Sequence, residues 1–190
     1  MAVTISGTTG VSLADTNAAP TAAVQDLAVT PAKLSQKLTQ GTAVATTSGT
    51  AVNFTGIPSW VTRITVVFNG ISTNSSGGLL LQLGDSGGVE TTGYLSQVNS
   101  FNNTPGGVGV TNGVQLTGGS ASTYSWNGIA HIVNISGNTW VVSGTAMTNA
   151  AASTAIFAGS KTLSAVLDKI RVTSTSGDTF DAGTINILYE

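Results

Sequence analysis

Hydrophobic and polar residues alternate along residues 60–69, the most strongly patterned stretch of the chain. Because successive side chains of a strand point to opposite faces, this alternation predicts a strand with one core face. The predicted core face carries Trp60, Ile64, Val66 and Phe68. The opposite face carries Val61, Arg63, Val67 and Asn69. Since that second face is half apolar, we expect Val61, Arg63 and Val67 to contact a neighbouring subunit rather than open water.

Gly and Asn separate several other apolar runs further along the chain. The run GLLLQL at residues 78–83 predicts a short strand that is buried on both faces. Two runs within residues 129–147 surround Gly137 and Asn138, which predicts a β-hairpin. Residues 167–174 and 184–190 predict a final pair of strands. Asn-Gly dipeptides, each of which predicts a turn, occur at 69–70, 112–113 and 127–128.

Short strands, Gly-rich turns and very little helical periodicity favour one all-β domain over residues 41–190. The predicted architecture is a jelly-roll-like β-sandwich. Residues 84–126 are rich in Gly, Asn, Ser and Thr, and we interpret them as long loops between strands.

Residues 1–40 form a separate, short and extended N-terminal segment with too few apolar residues to close a core. Thr30 as N-cap and Pro31 at the first helical position favour a short helix within it. We expect this segment to need the main domain or other chains for order, with Leu34 and Leu38 at a subunit interface.

Composition excludes several classes of protein. Charged residues make up only 7% of the 190-residue chain, against about 25% in an average soluble domain. The net charge is −2 and the basic residues are scattered, so we expect no nucleic-acid partner. No apolar run reaches the roughly 20 residues of a membrane-spanning helix, so we expect no membrane insertion. The N-terminus lacks the features of a Sec signal peptide, which predicts synthesis in a cytoplasm without export by the ordinary secretory route.

The sequence GDSGG at residues 84–88 matches the surroundings of the nucleophile in chymotrypsin-like serine proteases. That chemistry needs a His base and a buried Asp, and in those proteases both precede the serine. The only histidine, His131, follows Ser86, so we predict a Gly-rich turn instead. His131 alternates with Ile129 and Val133, which favours a packed or interface histidine over a ligand or base.

Two close pairs of acidic residues, Asp85 with Glu90 and Asp178 with Asp181, are the remaining candidates for chemistry. Carboxylate oxygens in a loop suit Ca²⁺, but neither pair fits an EF-hand pattern, and solvated turn carboxylates are the better interpretation. Glycosidase chemistry needs two acids at a set separation in a cleft, and no acid here is marked by its context. We therefore expect no metal, no cofactor and no enzymatic activity, with the glycosidase as the weaker alternative.

The aromatic residues fall into two groups. Trp60, Phe68 and Trp140 suit the core faces of strands, whereas Tyr94, Tyr124 and Trp126 lie in polar sequence. A flat amphipathic ring in a loop can stack on a sugar and form a hydrogen bond through its OH or NH. The same three residues are equally well interpreted as loop anchors that pack on the core.

Two segments of the chain carry a resemblance to a known family. Residues 49–94 (GTAVNFTGIPSWVTRITVVFNGISTNSSGGLLLQLGDSGGVETTGY) and 178–190 (DTFDAGTINILYE) resemble the C-terminal domain of tailed-bacteriophage tail fibre proteins. Residues 24–39 (VQDLAVTPAKLSQKLT) are similar to short segments that precede such domains. The likeness lies in stretches of sequence rather than in a catalytic motif, and it does not include the central loops around 95–126.

The resemblance implies a homotrimeric, non-enzymatic component of the virion tail that mediates attachment to the host cell. Residues 1–40 would bind other tail or baseplate proteins and support trimerisation. Residues 41–190 would form a tip that contacts a glycan or protein of the bacterial surface. The candidate receptor-binding residues are Tyr94, Phe101, Asn102, Asn103, Tyr124 and Trp126.

Two other functions stay open at the level of sequence. With only about forty residues before the β-domain, the chain has no long shaft, so a capsid decoration protein without receptor binding is the structural alternative. A fibre-borne glycan depolymerase is the enzymatic alternative, and it would need an acidic cleft.

Overall fold

The computed structural model describes residues 38–101, 106–119, 121–149 and 153–190. The predicted helix at Thr30 and the interface residue Leu34 lie outside this range. Strands make up all the regular secondary structure of the described residues. They are β1 (Thr39–Gln40), β2 (Val44–Ala45), β3 (Ala51–Thr55), β4 (Arg63–Thr73), β5 (Leu79–Asp85), β6 (Gly88–Val89), β7 (Leu95–Phe101), β8 (Gly106–Gly109), β9 (Val114–Gln115), β10 (Trp126–Ser136), β11 (Thr139–Thr148), β12 (Thr154–Thr162), β13 (Lys169–Ser174) and β14 (Phe180–Tyr189).

The strands form two antiparallel sheets that face each other as a sandwich. The larger sheet has nine strands in the order β1-β14-β4-β10-β11-β12-β7-β8, with β2 also paired to β14. The smaller sheet has five strands in the order β3-β13-β5-β6, with β9 also paired to β5. The predicted all-β sandwich is confirmed, and the jelly-roll connectivity stays a prediction.

The core lies between the two sheets and follows the alternation in the sequence. Ile64, Val66 and Phe68 of β4 are buried, as predicted for the core face of this strand. From the smaller sheet, Leu81 and Leu83 of β5 point into the same cluster. All seven residues of β5 are buried, so the prediction of a strand covered on both faces is confirmed.

The predicted hairpin is confirmed, whereas the predicted C-terminal strand pair is wrong. β10 and β11 pair along their length, and Gly137 takes a positive φ of 52° in the turn between them. In contrast, β13 pairs with β3 and β5 in the smaller sheet, while β14 pairs with β4 in the larger one. The last two strands therefore lie in opposite layers, because each completes the apolar face of a different sheet.

The structure differs from the predictions of local composition in two further places. Residues 84–126 contain β6, β7, β8 and β9 in addition to loops, because backbone pairing does not need apolar side chains. The Asn-Gly pairs at 69–70 and 127–128 lie inside β4 and β10 rather than in turns. Gly128 serves close packing instead, since a Cβ there would lie 2.5 Å from the ring of Phe68.

Candidate functional site

One end of the sandwich collects most of the long polar connections. At this end, β4 finishes at Thr73 opposite the first residue of β14, Phe180. β7 finishes at Phe101 opposite the first residue of β12, Thr154. We call this region the loop end and define it by residues 74–78, 121–125, 149 and 175–179 together with Phe101.

The opposite end of the sandwich holds the first described strand, β1, and the turn of the β10–β11 hairpin. Thr39 pairs with Tyr189 there, and β4 begins at Arg63, which forms an ion pair with Glu190. The first described residues and the loop end are thus separated by the length of the larger sheet's long strands.

Hydrogen bonds from side chains to the backbone hold the loop end in place. The Asn149 Oδ1 accepts from the backbone N–H of Ser125 at 2.9 Å. The Asn74 Oδ1 accepts from Thr179 N–H at 3.1 Å. The Asp178 Oδ2 accepts from Gly77 N–H at 2.7 Å. Short polar side chains therefore order these loops from within, and exposed Ser, Thr and Asn side chains remain on their outer surface.

Tyr94 does not belong to the loop end, and its predicted role in receptor binding is wrong. Its side chain is 1% exposed, and its hydroxyl oxygen accepts from Leu83 N–H at 2.7 Å. The hydroxyl also lies 3.1 Å from the Glu90 carbonyl oxygen. Burial raises the pKa of Tyr94 to about 12. A ring enclosed in this way cannot stack on a ligand from solvent. Tyr94 instead packs on the core, as in the second interpretation of the aromatic residues that lie in polar sequence.

Trp126 is also buried, which corrects its assignment to an exposed loop. It is the first residue of β10, lies opposite Ile71 and Thr148, and is 2% exposed. The polar sequence around it suggested a loop, but the strand pairing directs this ring into the core.

The other predicted receptor-binding residues have different surroundings. Tyr124 lies in the loop end and packs partly buried against the core. Phe101 ends β7 with 49% of its side chain exposed. Asn102 and Asn103 lie outside the described residues. The structure therefore places Tyr124 and Phe101 at one end of the molecule and removes Tyr94 and Trp126 from the candidate surface.

The predicted interface residues also separate. Val61 is 5% exposed and precedes β4 in a turn, so it packs inside its own subunit and is not available to a neighbour. Arg63 and Val67 are exposed on the side of β4 that points away from the core. Leu38 is 63% exposed. Contact of these three residues with another chain stays a prediction.

A cluster of charged groups surrounds the GDSGG turn at the end opposite the loops. The Ser164 hydroxyl donates to Asp85 Oδ2 at 2.7 Å, and Gly87 N–H donates to Asp85 Oδ1 at 2.8 Å. These hydrogen bonds, led by that of Ser164, lower the pKa of the Asp85 carboxyl. Asp85 Oδ1 thus holds the turn itself, and Asp85 Oδ2 joins the turn to the segment after β12.

Glu90 and Lys161 form the second half of this cluster. The buried Lys161 Nζ contacts Glu90 Oε2 at 2.5 Å and lies 5.4 Å from the centre of the Tyr94 ring. Burial alone would raise the pKa of Glu90, but hydrogen bonds from Lys161 and Ser164 outweigh it and lower that pKa. The charges of Glu90 and Lys161 neutralise each other, so this pair suits a structural role in joining the two sheets.

His131 does not belong to this cluster. It is exposed on β10 in the larger sheet, where its Nδ1 is 3.3 Å from the Thr65 hydroxyl. Within the described residues, no group of three or more His, Cys, Asp or Glu side chains is placed to hold a metal ion. No helix in the described part of the chain is long and apolar enough to cross a membrane.

The side of the larger sheet that points away from the core is a second distinct surface. We call it the outer face and define it by the outward residues of five strands, β4, β10, β11, β12 and β7. They are Arg63, Thr65, Val67 and Asn69 of β4, Ile129, His131 and Val133 of β10, Val141, Ser143, Thr145 and Met147 of β11, Thr154, Ile156, Ala158 and Ser160 of β12, and Leu95, Gln97, Asn99 and Phe101 of β7.

The alternation of the sequence predicts only part of the outer face. The half-apolar second face of residues 60–69 indicates it for one strand, β4. The other four strands join it through cross-strand pairing, which depends on tertiary structure.

Comparisons of the chain with protein-family models, curated proteins and solved structures find no match.

Proposed function

We propose that this chain is a structural component of a bacteriophage tail fibre and that its loop end contacts the host cell surface. The observation that carries the proposal is the resemblance of residues 49–94 and 178–190 to the tips of tail fibres. These two segments, distant in sequence, are neighbours in the fold, since β14 pairs with β4 from Phe180 to Tyr189. A shared pattern in segments that pack together supports a related domain rather than two chance matches.

The chemistry of the loop end supports contact with a glycan or a polar protein surface. Its exposed side chains are mostly hydroxyls and amides, which exchange hydrogen bonds with sugar hydroxyls, and Tyr124 adds a partly exposed ring. The first strand, β1, begins at the other end, where Thr39 pairs with Tyr189. This polarity suits a tip that is attached to the virion by one end and binds its host by the other.

Weak individual contacts are sufficient for such a role. A virion that carries several copies of a binding domain gains avidity, so no single deep pocket is required. A homotrimer, as the resemblance implies, would present the loop end in three copies.

The experiment is a binding assay with purified protein and host bacteria, using two matched arginine variants. Thr123→Arg places a long charged side chain on the exposed surface of the loop end. Ser59→Arg places the same side chain in an exposed turn near the start of β4. We expect Thr123→Arg to abolish binding and Ser59→Arg to retain it. Equal binding by both variants would contradict the assignment of the loop end.

Two further readouts distinguish the alternative functions. Immunogold labelling of the phage tail supports the fibre, whereas labelling of the head would favour a decoration protein. Release of reducing sugar ends from host polysaccharide would favour a depolymerase.

A further inference from the structure

We infer that the outer face of the nine-stranded sheet is the surface through which copies of this chain pack on one another. The outer face is rich in exposed apolar side chains. Leu95 is 73% exposed, Met147 53% and Ile156 51%. Monomeric proteins rarely leave a contiguous apolar patch of more than a few hundred Å² in water. The inference rests on the geometry of this face and is independent of the proposed function.

Strand register places several apolar side chains of the outer face in rows across adjacent strands. Val67 lies opposite Ile129, Ile129 opposite Thr145, and Thr145 opposite Ile156. A parallel row runs from Val133 to Val141. Each row crosses adjacent strands without a charged side chain between its members.

Charge is nearly absent from the outer face. Arg63 is the only Lys, Arg, Asp or Glu among its defining residues, and it lies at a corner in an ion pair with Glu190. Burying this face would therefore leave no unpaired charge without water, and so avoids a penalty of several kcal/mol per ion. Depletion of charge at the centre is typical of protein–protein interfaces.

The outer face supplies most of the area that a stable contact needs. Strands lie about 4.8 Å apart and rise about 3.4 Å per residue, so five strands of six to seven residues give roughly 500–570 Å². A standard interface buries about 800 Å² on each partner. The outer face thus accounts for about two thirds of that area, and side chains at its rim would supply the rest.

The outer face contains a shallow depression beside an exposed apolar side chain. Small residues at 158–160 of β12 and the side chain of Leu95 border this depression of about 470 Å³. Leu95 is 73% exposed at its edge. An apolar side chain of another copy could contact this depression.

A second copy of the chain is the occupant that these features favour. A face with one charged residue, Arg63 at its corner, offers little electrostatic pattern by which a charged partner would be selected. Two β-sheets can pack face to face at about 10 Å. The same apolar and hydroxyl-bearing surface is present on every copy of the chain.

The test is the mass of the full chain in solution, measured by light scattering and sedimentation from 1 to 100 µM, with two matched variants. Ile156→Glu and Thr55→Glu each place one carboxylate on an exposed strand position, on the outer face and on the five-stranded sheet respectively. Burial of an uncompensated charge costs several kcal/mol, so Ile156→Glu should weaken association by about 100-fold or more. Thr55→Glu should associate as the wild type does, because Thr55 lies outside the outer face.

Thr145→Glu provides a second, independent variant on the outer face, next to Ile156. Circular dichroism checks that each variant keeps its strand content. A wild type that stays monomeric at 100 µM would overturn the inference. Unchanged association of folded Ile156→Glu and Thr145→Glu, or dissociation caused equally by Thr55→Glu, would also overturn it.

Discussion

The two sheets present very different outer surfaces although their inner surfaces form one core. The outer face of the nine-stranded sheet is broad and combines exposed apolar side chains with uncharged polar ones, and it carries a single charged residue, Arg63. The corresponding side of the five-stranded sheet carries Lys169 and Arg171, and Arg171 donates to Asn53 Oδ1 at 3.0 Å. No large apolar side chain is exposed on the described strands of this smaller sheet.

The smaller sheet also covers its own outward apolar residue. Leu80 of β5 is 1% exposed, because Gly113 approaches its side chain. The Gln82 side chain beside it donates to the Asn112 carbonyl oxygen at 2.7 Å. The chain thus covers one sheet with its own loop and leaves the other open, which supports a role for another copy in covering the open sheet.

The largest expected effect is a difference in the free energy of unfolding between substitutions on the inner and outer sides of β12. Phe157 and Ile156 are neighbours on β12, but Phe157 is 1% exposed and Ile156 is 51% exposed. Phe157→Ala should lower the free energy of unfolding by about 3–5 kcal/mol, because it leaves a cavity between the sheets. Ile156→Ala should change that of the monomer by about 0.5 kcal/mol or less. Urea unfolding at low protein concentration measures both, and similar losses would contradict the assigned faces.

A smaller effect is expected for the polar anchor that joins the two sheets. Tyr94→Phe removes the acceptor of Leu83 N–H and leaves that buried group without its partner. The free energy of unfolding should fall by about 1–3 kcal/mol. Host binding per folded molecule should not change, since Tyr94 lies in the core. A binding defect in fully folded Tyr94→Phe would return this residue to the candidate surface.

The same tyrosine predicts a dependence on alkaline pH. Burial raises the pKa of Tyr94 to about 12, whereas an unfolded tyrosine has a pKa of about 10. The folded state therefore holds this proton more tightly, and its contribution to stability is complete below about pH 10. That contribution is lost as the pH rises through about 12. Urea unfolding across this range should show a steeper loss in the wild type than in Tyr94→Phe, and identical slopes would contradict the burial of the hydroxyl.

The smallest effect is expected on the charged side of the five-stranded sheet. Arg171→Ser removes an exposed hydrogen bond to Asn53, so the free energy of unfolding should change by about 0.5 kcal/mol or less. The solution mass should not change at all. A dissociated oligomer in Arg171→Ser would place the contact between copies on the wrong sheet.

Sequence reasoning succeeded where side-chain periodicity decides the structure. The core face of β4, the double burial of β5 and the β10–β11 hairpin each follow from local patterns of apolar residues. It failed where distant pairing decides, as for β13 and β14, which occupy different sheets. Periodicity reports which side of a strand is buried, but it does not report which strand lies beside it.

The candidate site was only partly predictable for the same reason. The polar surroundings of Tyr94 and Trp126 suggested exposure, but three backbone groups around the Tyr94 hydroxyl and the register of β10 bury them. Tyr124 and Phe101 do lie at the loop end. They share this end because β7 finishes there and β10 begins there. The sequence alone does not show that these two strand termini lie at the same end of the fold.

The oxidation rate of Met147 tests the contact between copies most directly. Met147 lies on the outer face and is 53% exposed in a single subunit, so hydrogen peroxide should convert it to the sulfoxide readily in a monomer. We predict that this oxidation, followed by peptide mass spectrometry, slows as the wild-type concentration rises from 1 to 100 µM. In Ile156→Glu it should stay at the fast monomer rate throughout. Equal and concentration-independent oxidation of Met147 in both proteins would show that the outer face stays open to water, and it would contradict the account.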